Sequence, residues 1–237
     1  MRPLIVLFGD SHTEESFREG GWGAALAHHF SRSADIVLRG YNGYNTRWAL
    51  KVLDRVMDGV GRSPAAITVF FGANDAALAD KYNRLQHVPL DEYKENLQAI
   101  CCSIKERWPS TIVILITPPP IYDEGLRKHP FGDDNSGELE RTNVSTGDFA
   151  KACIDVANNS GVPVIDIWSE IQNYPGWEKS LLGWDGMHLS DQGNRILFEE
   201  VVKDLKKAGM SLETFPTDLP LFANLDEKDP LKSFTDM

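Results

Sequence analysis

The sequence predicts an α/β protein built on a five-stranded parallel sheet. Two observations carry this prediction. Five short, near-continuous apolar runs recur along the chain, and segments with helical apolar spacing separate them. Strands without apolar/polar alternation are buried on both faces, as in parallel sheets covered by helices.

Each element follows in order. Residues 4–8 (LIVLF) form the first run and end in Gly9. Residues 14–31 carry helical spacing, with Thr13 as a candidate cap. Residues 36–38 are a second strand. Thr46 is placed to cap a helix over 47–59, where Ala49, Val52, Leu53, Val56 and Met57 make one stripe. Residues 67–71 (ITVFF) are β-branched and aromatic, a third strand. Residues 91–107 read as a helix, and 111–116 (TIVILI) as a strand that Pro118, Pro119 and Pro120 stop. A helix over 140–159, a fifth strand over 162–167 and a closing helix over 191–207 complete the pattern. Residues 119–137 form a long polar loop, a lid-like element or mobile surface. The organisation expected is one domain over 1–210, with an irregular tail over 211–237 packed on it.

Composition narrows the function. The 237 residues carry 24 Lys and Arg against 35 Asp and Glu, a net charge of −11. Nucleic-acid binding relies on clustered Lys and Arg, so that class of partner is excluded. A chain of this length buries roughly 70% of its surface on folding and needs no disulfide or metal for it. No apolar run approaches the ~20 residues of a membrane helix, and the N-terminal run is too short for a signal segment. Cys101, Cys102 and Cys153 are too few and unpaired in spacing for a disulfide framework. A cytoplasmic setting is therefore expected. Cys101 and Cys102 are expected to pack in the core. His28 and His29 lie on a helix, His87 and His129 in solvated loops. No HExxH or other metal-ligand spacing occurs, and no P-loop or GxGxxG, so neither metal nor cofactor is expected.

Open parallel sheets bind ligands beyond the carboxyl ends of their strands, so the polar residues there are the candidates. Gly9-Asp10-Ser11-His12-Thr13-Glu14 follows the first strand. Ser11 at a strand-to-helix turn suits a nucleophile, and reads equally as a helix cap. Gly40-Tyr41-Asn42-Gly43 follows the second strand, where glycine lets the backbone approach a ligand or simply turn. Gly72-Ala73-Asn74-Asp75 follows the third, with the Asn74 amide as a donor or as turn chemistry. Asp75 reads as a brace for its loop. Trp184-Asp185-Gly186-Met187-His188-Leu189 precedes the last helix. Asp185 and His188 can meet across a turn, the carboxylate orienting one ring nitrogen and freeing the other. Together these supply a nucleophile, an oriented base and up to three donors, the parts of acyl transfer through a tetrahedral intermediate.

These four blocks resemble, in order, those of the SGNH (GDSL-type) hydrolases. Gly20-Gly21-Trp22-Gly23, Gly43-Tyr44-Asn45-Thr46-Arg47-Trp48 and Thr117-Pro118-Pro119-Pro120 resemble the isoamyl acetate-hydrolysing esterase branch. The resemblance implies a flavodoxin-like α/β/α sandwich and hydrolysis of small carboxylic esters. It implies Ser11 as nucleophile, His188 as base, Asp185 as its orienter, and the Ser11 N–H, Gly43 and Asn74 as oxyanion donors. One residue departs from the family. His12 stands where a hydrophobic residue is usual; it is expected to cover the helix start in solvent, or else to make the acyl site more polar. Ile121, Tyr122, Phe131 and Trp184 are candidates for an apolar pocket wall, or pack the loop down. Two other readings stand beside simple ester hydrolysis: deacetylation of a sugar or other polar acetyl ester, and a non-catalytic flavodoxin-like module that binds a phosphate-bearing ligand. Phe215, Leu219, Leu221 and Phe222 are a candidate dimer patch.

Overall fold

The computed structural model describes residues 1–130 and 137–234. Strands β1 (Leu4–Gly9), β2 (Asp35–Gly40), β3 (Ala66–Phe70), β4 (Ile112–Ile116) and β5 (Val164–Ile165) form one parallel sheet in the order β2-β1-β3-β4-β5. The order reverses at β1 and β3, so the crevice beyond their carboxyl ends is the topological switch point of the sheet.

Helices cover both faces, and β1 shows why. Its side chains alternate between the two faces of the sheet. Val6 and Phe8 join a core with α3 (Thr46–Asp58), α4 (Leu90–Arg107) and α6 (Asn143–Ser160). Ile5 and Leu7 join a second core with α2 (Trp22–His29) and α9 (Asp191–Lys207). All four side chains are fully buried, each worth roughly 1.5–3 kcal/mol of transfer from water. The five-stranded, two-faced α/β architecture is the one expected.

Several boundaries differ from the expectation, each for a local reason. The helix expected over 14–31 is two pieces. Helix α1 (Ser11–Glu14) runs into a 3-10 turn over Glu15–Phe17, and α2 begins only after Gly20 and Gly21. Gly20 sits at a φ of +74°, left-handed backbone that breaks the run. The cap of α1 is Asp10, neither Ser11 nor Thr13, and the cap of α3 is Asn45, not Thr46. The strand expected over 162–167 keeps only Val164–Ile165. Asp166 then accepts from the Ser169 N–H and starts α7 (Ile167–Gln172). The long loop contains α5 (Asp123–Lys128). A further turn, α8 (Trp177–Ser180), precedes the Asp185–His188 segment.

In the tail, the Phe215 ring lies 5.7 Å from Phe30, and Asp218 is within ion-pair reach of Arg2 and Arg32. Leu219, Leu221 and Phe222 stay exposed. No described helix is long and apolar enough to cross a membrane.

Candidate active site

Strand register sets the site. Gly9 pairs with Gly40 on one side and Phe70 on the other, so β1, β2 and β3 end at one level. The loops carrying Ser11, Gly43 and Asn74 leave the sheet there. They approach closely because glycine lets them: a methyl on Gly40 would lie 2.0 Å from the Glu14 backbone nitrogen. Side chains then tie the loops together. Glu14 accepts from the Asn42 N–H at 2.8 Å, and the Asn74 amide donates to the Tyr44 carbonyl at 2.9 Å. Gly43 has a φ of +77° and its carbonyl accepts from the Gln86 amide at 3.0 Å.

The last block folds back to this end of the sheet. Leu182 and Leu189 pair as an antiparallel bridge, and the Gly183 N–H donates to the His188 carbonyl. Inside that closed turn, Asp185 Oδ1 accepts from the backbone N–H groups of Met187 and His188, both at 3.0 Å. Gly186 sits at φ +72°, and a methyl there would lie 2.7 Å from the Tyr122 carbonyl. The turn therefore packs flat on α5.

The turn brings Asp185, His188 and Ser11 into line. His188 Nδ1 lies 2.5 Å from Asp185 Oδ2, and His188 Nε2 lies 2.9 Å from Ser11 Oγ. Ser11 is buried, while the Asp185 and His188 side chains are about a quarter exposed. Burial alone would raise the Asp185 carboxyl. The hydrogen bond and charge of His188 and the two backbone donors outweigh it and hold Asp185 well below the usual carboxylate range. The arrangement can move a proton from a serine hydroxyl to an imidazole whose far nitrogen is held by a carboxylate.

His12 is not in solvent, which corrects one expectation. Its side chain is 1% exposed. Nδ1 lies 3.2 Å from Asp10 Oδ1, Nε2 lies 3.3 Å from the Met187 carbonyl, and the ring lies 5.0 Å from the His188 ring. The physical reason is the short α1: its first turn is clamped between β3 and the returning turn, so position 12 faces inward. His12 does line a small recess with Ser11 and His188.

Of the other wall residues, Trp184 lines a cleft of about 620 Å³ beside His188, together with Glu15, Arg18, His129, Glu140 and Met187. Its ring is largely exposed and meets His129 edge-on at 5.0 Å. Tyr122 lines neither space. Its N–H donates to the Gly186 carbonyl and its hydroxyl to Glu124, so it supports the turn from behind. Ile121 packs under Met187. Phe131 lies outside the described residues. Cys101 and Cys153 are buried, but Cys102 is exposed, because successive helix positions point about 100° apart. His87 is half-buried, Nδ1 2.6 Å from the Ala77 carbonyl, instead of solvated.

Sequence reasoning missed the support behind the site. Arg141 is fully buried. Its guanidinium lies 2.8 Å from Glu140, 2.7 Å from Gln86 Oε1 and 3.3 Å from the Met187 sulfur. Gln86 holds the Gly43 carbonyl, so one cation connects the Gly43 turn with the His188 turn. A charged residue next to a helix start has no periodicity that announces burial.

Asp75 is also fully buried, as a brace for its loop. Oδ1 accepts from the Thr46 N–H at 2.9 Å and the Thr46 hydroxyl at 2.5 Å, while Oδ2 has no partner among the described residues. Burial pushes its carboxyl up to about 7, against the pull of the Thr46 donors. Between about pH 4 and 7 the folded chain keeps a proton that the unfolded chain releases. Stability is thus expected to fall as pH rises through that window, by at most about 4 kcal/mol. Asp75→Asn is expected to flatten the slope. Calorimetric melting at pH 5 and pH 8 checks it, and equal slopes in both proteins would refute it.

Residues 5–201 match the family described as GDSL-like Lipase/Acylhydrolase. The chain belongs to that family. This GDSL-like chain is 56% identical to a GDSL esterase/lipase of Arabidopsis thaliana, over 99% of this chain and 98% of the relative. It is 42% identical to the isoamyl acetate-hydrolyzing esterase 1 homolog of Rattus norvegicus, over 96% of this chain and 90% of that one. A solved lipase/acylhydrolase from Enterococcus faecalis superposes with a TM-score of 0.69 at 25% identity, covering 93% of this chain and all of that one. Membership in the GDSL-like family makes the chain a carboxylic ester hydrolase.

Proposed function

We propose that the chain hydrolyses short-chain esters, acetates foremost, through an acyl-enzyme on Ser11. The carrying observation is the Ser11–His188–Asp185 line, with both hydrogen bonds at 2.9 Å or less. His188 Nε2 takes the hydroxyl proton as Ser11 Oγ attacks the ester carbonyl carbon. The alcohol leaves with that proton. Water then attacks the acyl carbon, His188 accepts its proton, and the acid departs as His188 passes that proton to Ser11 Oγ.

The oxyanion of each tetrahedral intermediate is assigned to the N–H groups of Ser11 and Gly43 and the Asn74 amide. Asn74 Nδ2 has two hydrogens, and the bond to Tyr44 uses one and aims the group. Removing one such donor costs roughly 10²–10³ in kcat. Asn74→Ala is accordingly expected to lose that much kcat while melting close to the wild type. Steady-state kinetics beside a melting curve checks it, and full activity would remove Asn74 from the role.

Acetate preference is supported by the kinship to the rat isoamyl acetate-hydrolyzing esterase homolog and by the small recess at Ser11. A polar alcohol is the second reading, because Glu15, Arg18 and Glu140 line the cleft beside His188. Hydrolysis of p-nitrophenyl esters from acetate to octanoate, beside acetylated sugars, tests both. Rates that fall with acyl length support the short-chain site. Faster turnover of acetylated sugars than of alkyl acetates would select the polar substrate. Three unpaired cysteines favour a reducing compartment, and the setting proposed is the cytoplasm.

A further inference from the structure

His12 occupies a demanding place. Its ring is closed in on every side. Asp10 faces it from the start of α1, Phe70 from β3, and Met187, His188 and Asp185 from the returning turn. Glu15 and Arg18 line the same recess. The indole N–H of Trp22 holds the His12 carbonyl at 2.8 Å and fixes the backbone.

Both ring nitrogens of His12 meet acceptors. Asp10 Oδ1 already accepts the His12 backbone N–H at 3.0 Å, and the partner of Nε2 is a carbonyl oxygen. A neutral imidazole has one donor and one acceptor nitrogen, so it would face one of these oxygens with a lone pair. Only the imidazolium satisfies both. We propose that His12 is a positioning residue, a protonated clip that joins the Ser11 helix to the Met187 carbonyl and so sets His188 against Ser11.

The surroundings favour the charged form in two ways. Burial by itself would discharge the ring, but the hydrogen bond and charge of Asp10 outweigh it, helped by Met187 and Asp185, and raise its pKa. The charge also lies beside its counter-ion, so the Asp10–His12 pair is neutral as a unit and adds little repulsion when His188 takes the Ser11 proton. The clip is present while His12 is protonated and opens as pH rises through its raised value. Loss of Nε2–H releases Met187, and a displacement of the adjacent His188 by about 1 Å can cost roughly 100-fold in rate.

This inference rests on the roles proposed for Ser11 and His188, and its test separates the two. The ring ¹⁵N resonances of the full-length protein, assigned with His12→Gln, report the charge directly and need no turnover. Both His12 nitrogens are expected to be protonated at pH 7. A neutral tautomer there overturns the clip. On p-nitrophenyl acetate, wild-type kcat is expected to fall on the alkaline side with KM unchanged. His12→Gln, which keeps one donor, is expected to retain part of kcat and lose that alkaline limb. His12→Leu is expected to lose roughly 10- to 100-fold in kcat with KM little changed. If His12→Gln keeps the wild-type kcat and pH profile, the clip is refuted and the Ser11 assignment stands. If the wild type neither hydrolyses esters nor reacts with a fluorophosphonate probe, the Ser11 assignment fails, and the ring spectrum still decides the charge.

Discussion

Ser11→Ala is expected to lower kcat by about 10⁶, the scale on which removing a triad nucleophile acts. The substitution deletes one oxygen, the atom 2.9 Å from His188 Nε2. Its backbone N–H stays, so whatever oxyanion stabilisation that donor gives is retained. The cap of α1 also stays, because it is Asp10, not Ser11, whose side chain accepts the His12 N–H. Ser11 is buried and loses its bond to His188, so stability should change by about 1 kcal/mol, the scale of one hydrogen bond. Kinetics with a fluorophosphonate-titrated wild type as reference, beside a melting curve, gives both numbers. A variant that melts normally and keeps more than a few per cent of activity would exclude Ser11 as nucleophile.

Arg141→Met is expected to destabilise the fold by about 3–5 kcal/mol, the range for breaking a buried ion pair from one side. Methionine keeps much of the volume, so the loss reads charge and hydrogen bonds. Glu140 stays buried without the Arg141 guanidinium, and Gln86 loses the partner that aims it at Gly43. Removing both charges together, as Glu140→Gln with Arg141→Met, should recover part of the loss, since desolvation is then avoided. Urea unfolding of the wild type and both variants measures this. A single-variant loss under about 1 kcal/mol would show that Arg141 is not a structural cation. Activity should drop as well, through the Gly43 turn.

The elements with strong period were legible without coordinates. The five apolar runs, α3 and α9 sit within a residue or two of their expected places, except the fifth strand. That run contains Pro163 and Asp166, and capping chemistry at Asp166 overrode its apolar character. The blocks carrying Ser11, Asp185 and His188 stand out in the sequence because each follows a strand or precedes a helix, but the last reaches the sheet end only through the Leu182–Leu189 bridge and the packing of Gly186 on α5. The position of His12 was not legible. Its burial depends on α1 stopping at Glu14, which two glycines beyond it decide. Arg141 was invisible for a related reason: its partners Gln86 and Met187 are distant in sequence, and a single charged side chain carries no pattern.

The Leu182–Leu189 bridge has a consequence for how the enzyme fails. The segment it closes is a small loop stitched by its own backbone bonds and resting on α5. Lifting it would expose Leu182, Met187 and Leu189 but break no pairing among the five sheet strands, so it opens at a lower cost than the whole fold. His188 would leave with it while the strands stay paired. Mild denaturant can therefore silence the molecule reversibly at concentrations where its circular dichroism is still that of the native state, so residual activity and residual fold are separate clocks.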